Sequence, residues 1–91
     1  MEIETGTVVL ALAGHDKGGY FAVIDFADDS HALIADGKRR KVEKLKRKKC
    51  KHLQAVGRLT LPDISKATNR QIRKALGAFG ADAAAVSGGG I

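Results

Sequence analysis

Three short apolar runs separated by turn chemistry set the tightest limit on what this chain can fold into. Residues 7–13, 20–26 and 31–35 are rich in Val, Leu, Ile, Phe and Ala, and each is too short for a helix of ordinary length. In the first, apolar side chains fill both alternation sets, with Val8, Leu10 and Leu12 on one and Val9, Ala11 and Ala13 on the other. Successive side chains of a strand point to opposite faces, so such a run predicts a strand buried on both sides; residues 20–26 read the same way. Gly14, Gly18 and Gly19 between the first two runs permit positive φ and close backbone approach. Asp28, Asp29 and Ser30 supply polar turn chemistry before the third. Asp36 and Gly37 then form a hairpin signal of the type I′ class, which predicts that residues 38–42 pair back onto residues 31–35. Residues 53–61, interrupted by Gly57 and closed by Pro62, complete an expected five-stranded meander.

After Pro62 the hydrophobic period changes. Thr68 and Gln71 have the spacing of a capping box, and Ile72, Ala75, Leu76 and Phe79 follow as one apolar stripe. Gly77 weakens this helix and Gly80 is its expected stop. Residues 81–91 have little to bury and are expected to be a flexible tail.

Charge divides the chain at Gly37. Residues 1–37 carry one lysine against seven acids, whereas residues 38–91 carry fifteen Lys and Arg against three acids. Ten of those cations fall within residues 38–52, where Glu43 is the single acid, so i,i+4 pairing cannot neutralise the run. Clustered cations raise the local potential and release counterions from phosphates, which makes nucleic acid the leading partner class. A solvated face or a disordered tail is the plainer reading of a charge run. Against it, this run is bracketed by the Asp36-Gly37 turn and by the apolar residues Leu53 to Val56.

Other chemistries find little support in the sequence. The lone Cys50 cannot form an intramolecular disulfide, the acidic N-terminus does not resemble an export signal, and residues 8–13 are far too short to span a membrane. The expectation is therefore a cytoplasmic protein with no membrane association. Cys50 and His52 stand one residue apart with no second ligand pair, so no metal site is expected. Paired carboxylates and a nucleophile held by an oriented base are missing from the pattern, which argues against an enzyme and against a cofactor. Gly14 to Gly19 is no P-loop: Lys17 precedes Gly18 rather than Ser or Thr, and strand-like sequence follows it. It is either a plain turn or an RNA-facing one. Tyr20 is either core or a base-stacking side chain.

The spacing of Gly6, Val8, Leu10, Gly14, Lys17 and Gly18 resembles the KOW motif of several ribosomal proteins and transcription elongation factors. The segment from His31 to Gly37, its basic continuation, and the stretch from Leu45 through Lys46, Arg47, Lys48, Lys49, Cys50, Lys51 and His52 to Leu53 extend the likeness. Together they resemble the bacterial KOW-domain RNA-binding proteins, which are related to a group of archaeal and eukaryotic large-subunit ribosomal proteins. The resemblance covers about Thr5 to Ala55; where those relatives carry Pro before the Lys-Arg-Lys segment, this chain carries Leu45. It implies a mainly β fold, a five-stranded SH3-like barrel over residues 1–62; the capping box and apolar stripe then place a short helix in the segment 63–80, packed on or beside that barrel. The stripe of Ile72, Leu76 and Phe79 would close the open end of that barrel or, as the alternative, dock another protein.

The resulting expectation is a non-catalytic module whose partner is RNA, ribosomal RNA or a translation-associated RNA above all. Its contacts would be Lys38, Arg39, Arg40, Lys41, Lys44, Lys46, Arg47, Lys48, Lys49, Lys51 and His52, with His15 and Lys17 as a second point of contact. The rival expectation is a protein-interaction domain that docks on the ribosome or the transcription machinery through Tyr20 and Phe21.

Overall fold

The computed structural model describes residues 2–61 and 63–77. Five strands, β1 (Thr7–Ala11), β2 (Tyr20–Asp28), β3 (His31–Ala35), β4 (Lys46–Lys49) and β5 (Leu53–Arg58), form one antiparallel sheet in the order β4-β3-β2-β1-β5. Residues 69–77 are helical (α1), and no helix of the described residues is long and apolar enough to cross a membrane. The expected end of α1 at Phe79 and Gly80, the closing Pro62, and residues 81–91 lie outside the described residues.

The double burial read from the sequence has a direct structural counterpart. In β2, Phe21 and Val23 join Val9, Ala11, Ala32, Ile34 and Leu53 in one core cluster, while Ala22 and Ile24 join Val8, Ala35, Ile72 and Leu76 in another. Alternate residues of one strand thus serve two cores, and α1 covers the second of them. Its start is built as the capping box predicts. The Thr68 amide donates to Gln71 Oε1 at 2.9 Å and the Gln71 amide donates back to Thr68 Oγ1 at 3.1 Å.

The strand order departs from a simple meander. Strands β1 to β4 follow one another, but β5 pairs with the free side of β1. A strand apolar on both faces is poorly suited to a sheet edge, where its amides and carbonyls would stay unpaired. Pairing with β5 places β1 inside the sheet. The register shifts between Val8 and Val9, opposite Gly57 and Ala55, so the glycine that interrupts the fifth run sits beside a bulge. Strand β5 ends at Arg58 rather than at residue 61; the Leu59 amide still donates to the Gly6 carbonyl at 2.9 Å, and Leu59 and Leu61 pack on the α1-side core.

The expected partner of β3 is also displaced. Residues 38–42 form no strand, and Lys46–Lys49 takes the place beside His31–Ala35. One cause lies in the Asp36 side chain, whose Oδ1 accepts from the amides of Lys38 (2.8 Å) and Arg40 (2.9 Å). The amides of Asp36 and Gly37 both donate to the Arg40 carbonyl. A compact turn stabilised by a carboxylate thus replaces the two-residue hairpin. After it, Val42–Lys44 makes a 3-10 turn, and Val42 and Leu45 lean onto the α1-side core before β4 begins.

Candidate nucleic-acid interface

The loop from Asp36 to Leu45 is held from several sides, and each tie comes from a residue of definite chemistry. Gly37 is buried with φ +79°, and a Cβ there would collide with the Asn69 carbonyl oxygen and meet the Arg73 amide at 3.1 Å. Only glycine satisfies both the left-handed backbone and the close passage of α1. From α1, Asn69 Oδ1 accepts from the Val42 amide at 2.8 Å, and its Nδ2 donates to both Glu43 carboxylate oxygens at 2.8 and 2.9 Å. That hydrogen bond is the main reason the Glu43 carboxyl sits below its ordinary pKa. Arg73 Nη1 donates to the Gly37 carbonyl at 3.1 Å.

On the opposite side, Arg40 forks onto Asp16 through Nε (3.3 Å) and Nη2 (3.1 Å). The Asp16 side chain is only 6% exposed, so this ion pair joins the Gly14 to Gly19 turn to the basic loop through a largely buried carboxylate. Lys48 reaches the same turn, donating from Nζ to the Ala13 carbonyl at 2.7 Å. Gly14 has φ +81°, a left-handed backbone that favours glycine at this point of the turn.

Fixed in this way, the loop and the start of β4 enclose a cleft of about 450 Å³ lined by Arg39, Arg40, Lys41, Lys44, Leu45 and Lys46. Five cations surround one leucine. Arg39, Lys41 and Lys44 are exposed, and Lys46 is half-buried beside Ile34 of β3. The arrangement suits phosphate oxygens: arginine offers a planar fork and lysine a mobile point charge. At the far end of β4, roughly 10 Å away along the strand, Ser30, His31, Lys49, Cys50 and Lys51 line a second cleft of about 380 Å³. Acids flank that end. His31 Nδ1 donates to Asp28, whose carboxyl is held below its ordinary pKa chiefly by this bond and then by the Ser30 amide.

No family model and no curated protein matches the chain.

The thirteen residues singled out by sequence therefore fall into distinct roles. Arg39, Arg40, Lys41, Lys44 and Lys46 gather around the first cleft, and Lys49 and Lys51 reach the second. Lys38 is exposed on the Asp36 turn, and Arg47 is exposed on β4 opposite Leu33. Arg40 and Lys48 are also structural ties to the glycine turn. His15 and Lys17 are exposed on that turn, which the Asp16–Arg40 pair brings up to the basic loop. His52 is half-buried, with its carbonyl accepting from the Leu12 amide.

The glycine turn itself is a plain turn at three of its amides. Lys17, Gly18 and Gly19 donate to the carbonyls of Gly14, Ala11 and Asp16, so those amides do not form an anion nest. Tyr20 packs half-buried on the α1-side core, and Phe21 is 3% exposed. Of the expected docking pair, Phe21 is core, because the alternation of β2 turns it into the sheet's other cluster, while Tyr20 keeps part of its surface exposed. Among the described residues no group of three or more His, Cys, Asp or Glu side chains gathers to hold a metal ion.

Proposed function

We propose that this chain is a non-catalytic RNA-binding module of the KOW class, acting in the cytoplasm on ribosomal RNA or another translation-associated RNA. The observation that carries the reading is the cleft between Arg39 and Lys46. Five cations line it, and the loop bearing them is held before any ligand arrives. Preorganised cations lose less conformational entropy on binding than the same residues on a disordered tail. Lys38 and Arg47 are also exposed, one on the turn that precedes the cleft and one on β4. The RNA phosphate backbone is the ligand, and shape rather than base identity sets most of the specificity.

An SH3-like barrel is the fold proposed for residues 1–62. Support comes from the connection between the two edge strands. Laid flat, a five-stranded sheet would separate β4 from β5 by roughly 19 Å, four strand spacings. The three-residue turn Cys50–His52 joins them, and four Cα steps reach at most roughly 15 Å. A curled sheet whose edges approach one another accommodates so short a connection, which supports the barrel reading.

The experiment is in-cell crosslinking followed by sequencing of the attached RNA, with ribosomal fractions analysed in parallel. A discrete crosslink on ribosomal or translation-associated RNA is expected. RNA recovery at background, with a protein captured in its place, would overturn the reading in favour of an interaction domain.

A further inference from the structure

Helix α1 carries chemistry that the basic loop does not account for. Its residues 69–77 contain Arg70, Arg73 and Lys74 and no acid. Positions i, i+3 and i+4 share one helical face, and here that face lies opposite Ile72 and Leu76, which are 0% and 8% exposed in the core. All three cations are exposed. A lone basic stripe is ordinarily a solvated surface, but two ties fix this one relative to the cleft. Arg73 Nη1 donates to the carbonyl of Gly37, immediately before Lys38 and Arg39. Asn69, one residue before Arg70, holds both Val42 and Glu43 of the cleft loop. The acids at this junction are already engaged: Glu43 accepts from Asn69, and Asp36 accepts from the Lys38 and Arg40 amides.

We infer that Arg70, Arg73 and Lys74 form a second set of phosphate contacts on the same RNA, so that the interface is a composite of α1 and the cleft loop. This rests on the RNA-binding reading above and deepens it by assigning α1 a part in the site. The two cationic sets are fixed in relation to each other by Asn69 and Arg73. A folded RNA that presents phosphates to both is bound more tightly than either set alone would bind it.

The test measures binding of a fluorescein-labelled RNA hairpin by anisotropy across a salt series. Full-length wild type is compared with Arg70→Gln/Lys74→Gln, with the cleft variant Lys41→Gln/Lys44→Gln, and with Arg58→Gln/Lys66→Gln, which removes the same charge elsewhere. Arg73 is left in place because of its bond to Gly37, and thermal melts check that each variant folds. The α1 variant is expected to bind about five- to tenfold more weakly near physiological salt, with the slope of log K against log salt reduced by about 2. The control should retain its slope. An unchanged slope in the α1 variant beside a reduced one in the cleft variant would remove α1 from the interface and leave the cleft reading standing. Equal losses in the α1 variant and the control would reduce the effect to net charge and overturn the inference. Loss in neither the α1 nor the cleft variant, or no hairpin binding by wild type, would overturn the RNA reading with it.

Discussion

Arg40 and Arg39 are adjacent in sequence but do different work. Arg40 neutralises a carboxylate that is almost out of reach of water, while Arg39 faces solvent at the cleft. Arg40→Gln leaves Asp16 buried without its charged partner and is expected to lower stability by about 1–3 kcal/mol. Arg39→Gln is expected to stay within about 0.5 kcal/mol of wild type. Urea denaturation of the two variants checks the contrast. Gly37→Ala should cost more than about 2 kcal/mol, since it adds an unfavourable left-handed backbone to a collision with α1. A linked pH effect belongs to Asp28. Its carboxyl is held below the ordinary value in the folded protein, so its stabilisation is complete above the ordinary aspartate range and is lost as pH falls through the lowered value. The stability gap between wild type and Asp28→Asn, measured by urea denaturation at a series of pH values, is therefore expected to shrink below about pH 4.

Between elements, the contact that matters most is the one joining α1 to the basic loop, and Asn69 is its centre. Asn69→Ala removes the acceptor for the Val42 amide and the donors to Glu43. Two outcomes are expected: faster hydrogen exchange at the Val42 amide, and a Glu43 carboxyl that titrates at higher pH by NMR because its main stabilising hydrogen bond is gone. The contrast between α1 and the expected hairpin shows which signals sequence carries well. The capping box was legible because both of its partners lie within four residues, and the Ile72 and Leu76 stripe because helical period is local. Asp36 and Gly37 marked a turn correctly but not its outcome. Whether the following residues form a strand depended on the Asp36 carboxylate, on Val42 and Leu45 reaching the core, and on α1 packing over Gly37, and the last two act across distance. The cleft cations were legible from their density. The roles of Arg40 and Lys48 as ties to the glycine turn were not, since Asp16 and Ala13 lie far from them in sequence. Arg70, Arg73 and Lys74 were not singled out by sequence, and their relation to the loop emerges only from the contacts of Asn69 and Arg73.

Across the whole molecule, sequence polarity becomes spatial organisation. The acidic first half supplies three central strands whose side chains line two cores, and the basic second half supplies both edge strands, the cleft loop and the covering helix. Asp16 and Arg40 join the halves. Such a division leaves most of the cations on the surface, away from the two cores. The proposal that the Arg39 to Lys46 cleft binds RNA through its phosphates makes affinity depend on salt. RNA-hairpin affinity is measured between ~50 and ~200 mM salt for wild type and for Arg39→Gln/Lys41→Gln/Lys44→Gln. If six or more phosphates are engaged, wild-type affinity falls by about three orders of magnitude or more over that range, and the variant's log–log slope is shallower by about 3. A wild-type affinity that barely responds to salt, or a variant whose slope equals that of wild type, would rule out phosphate binding at this cleft.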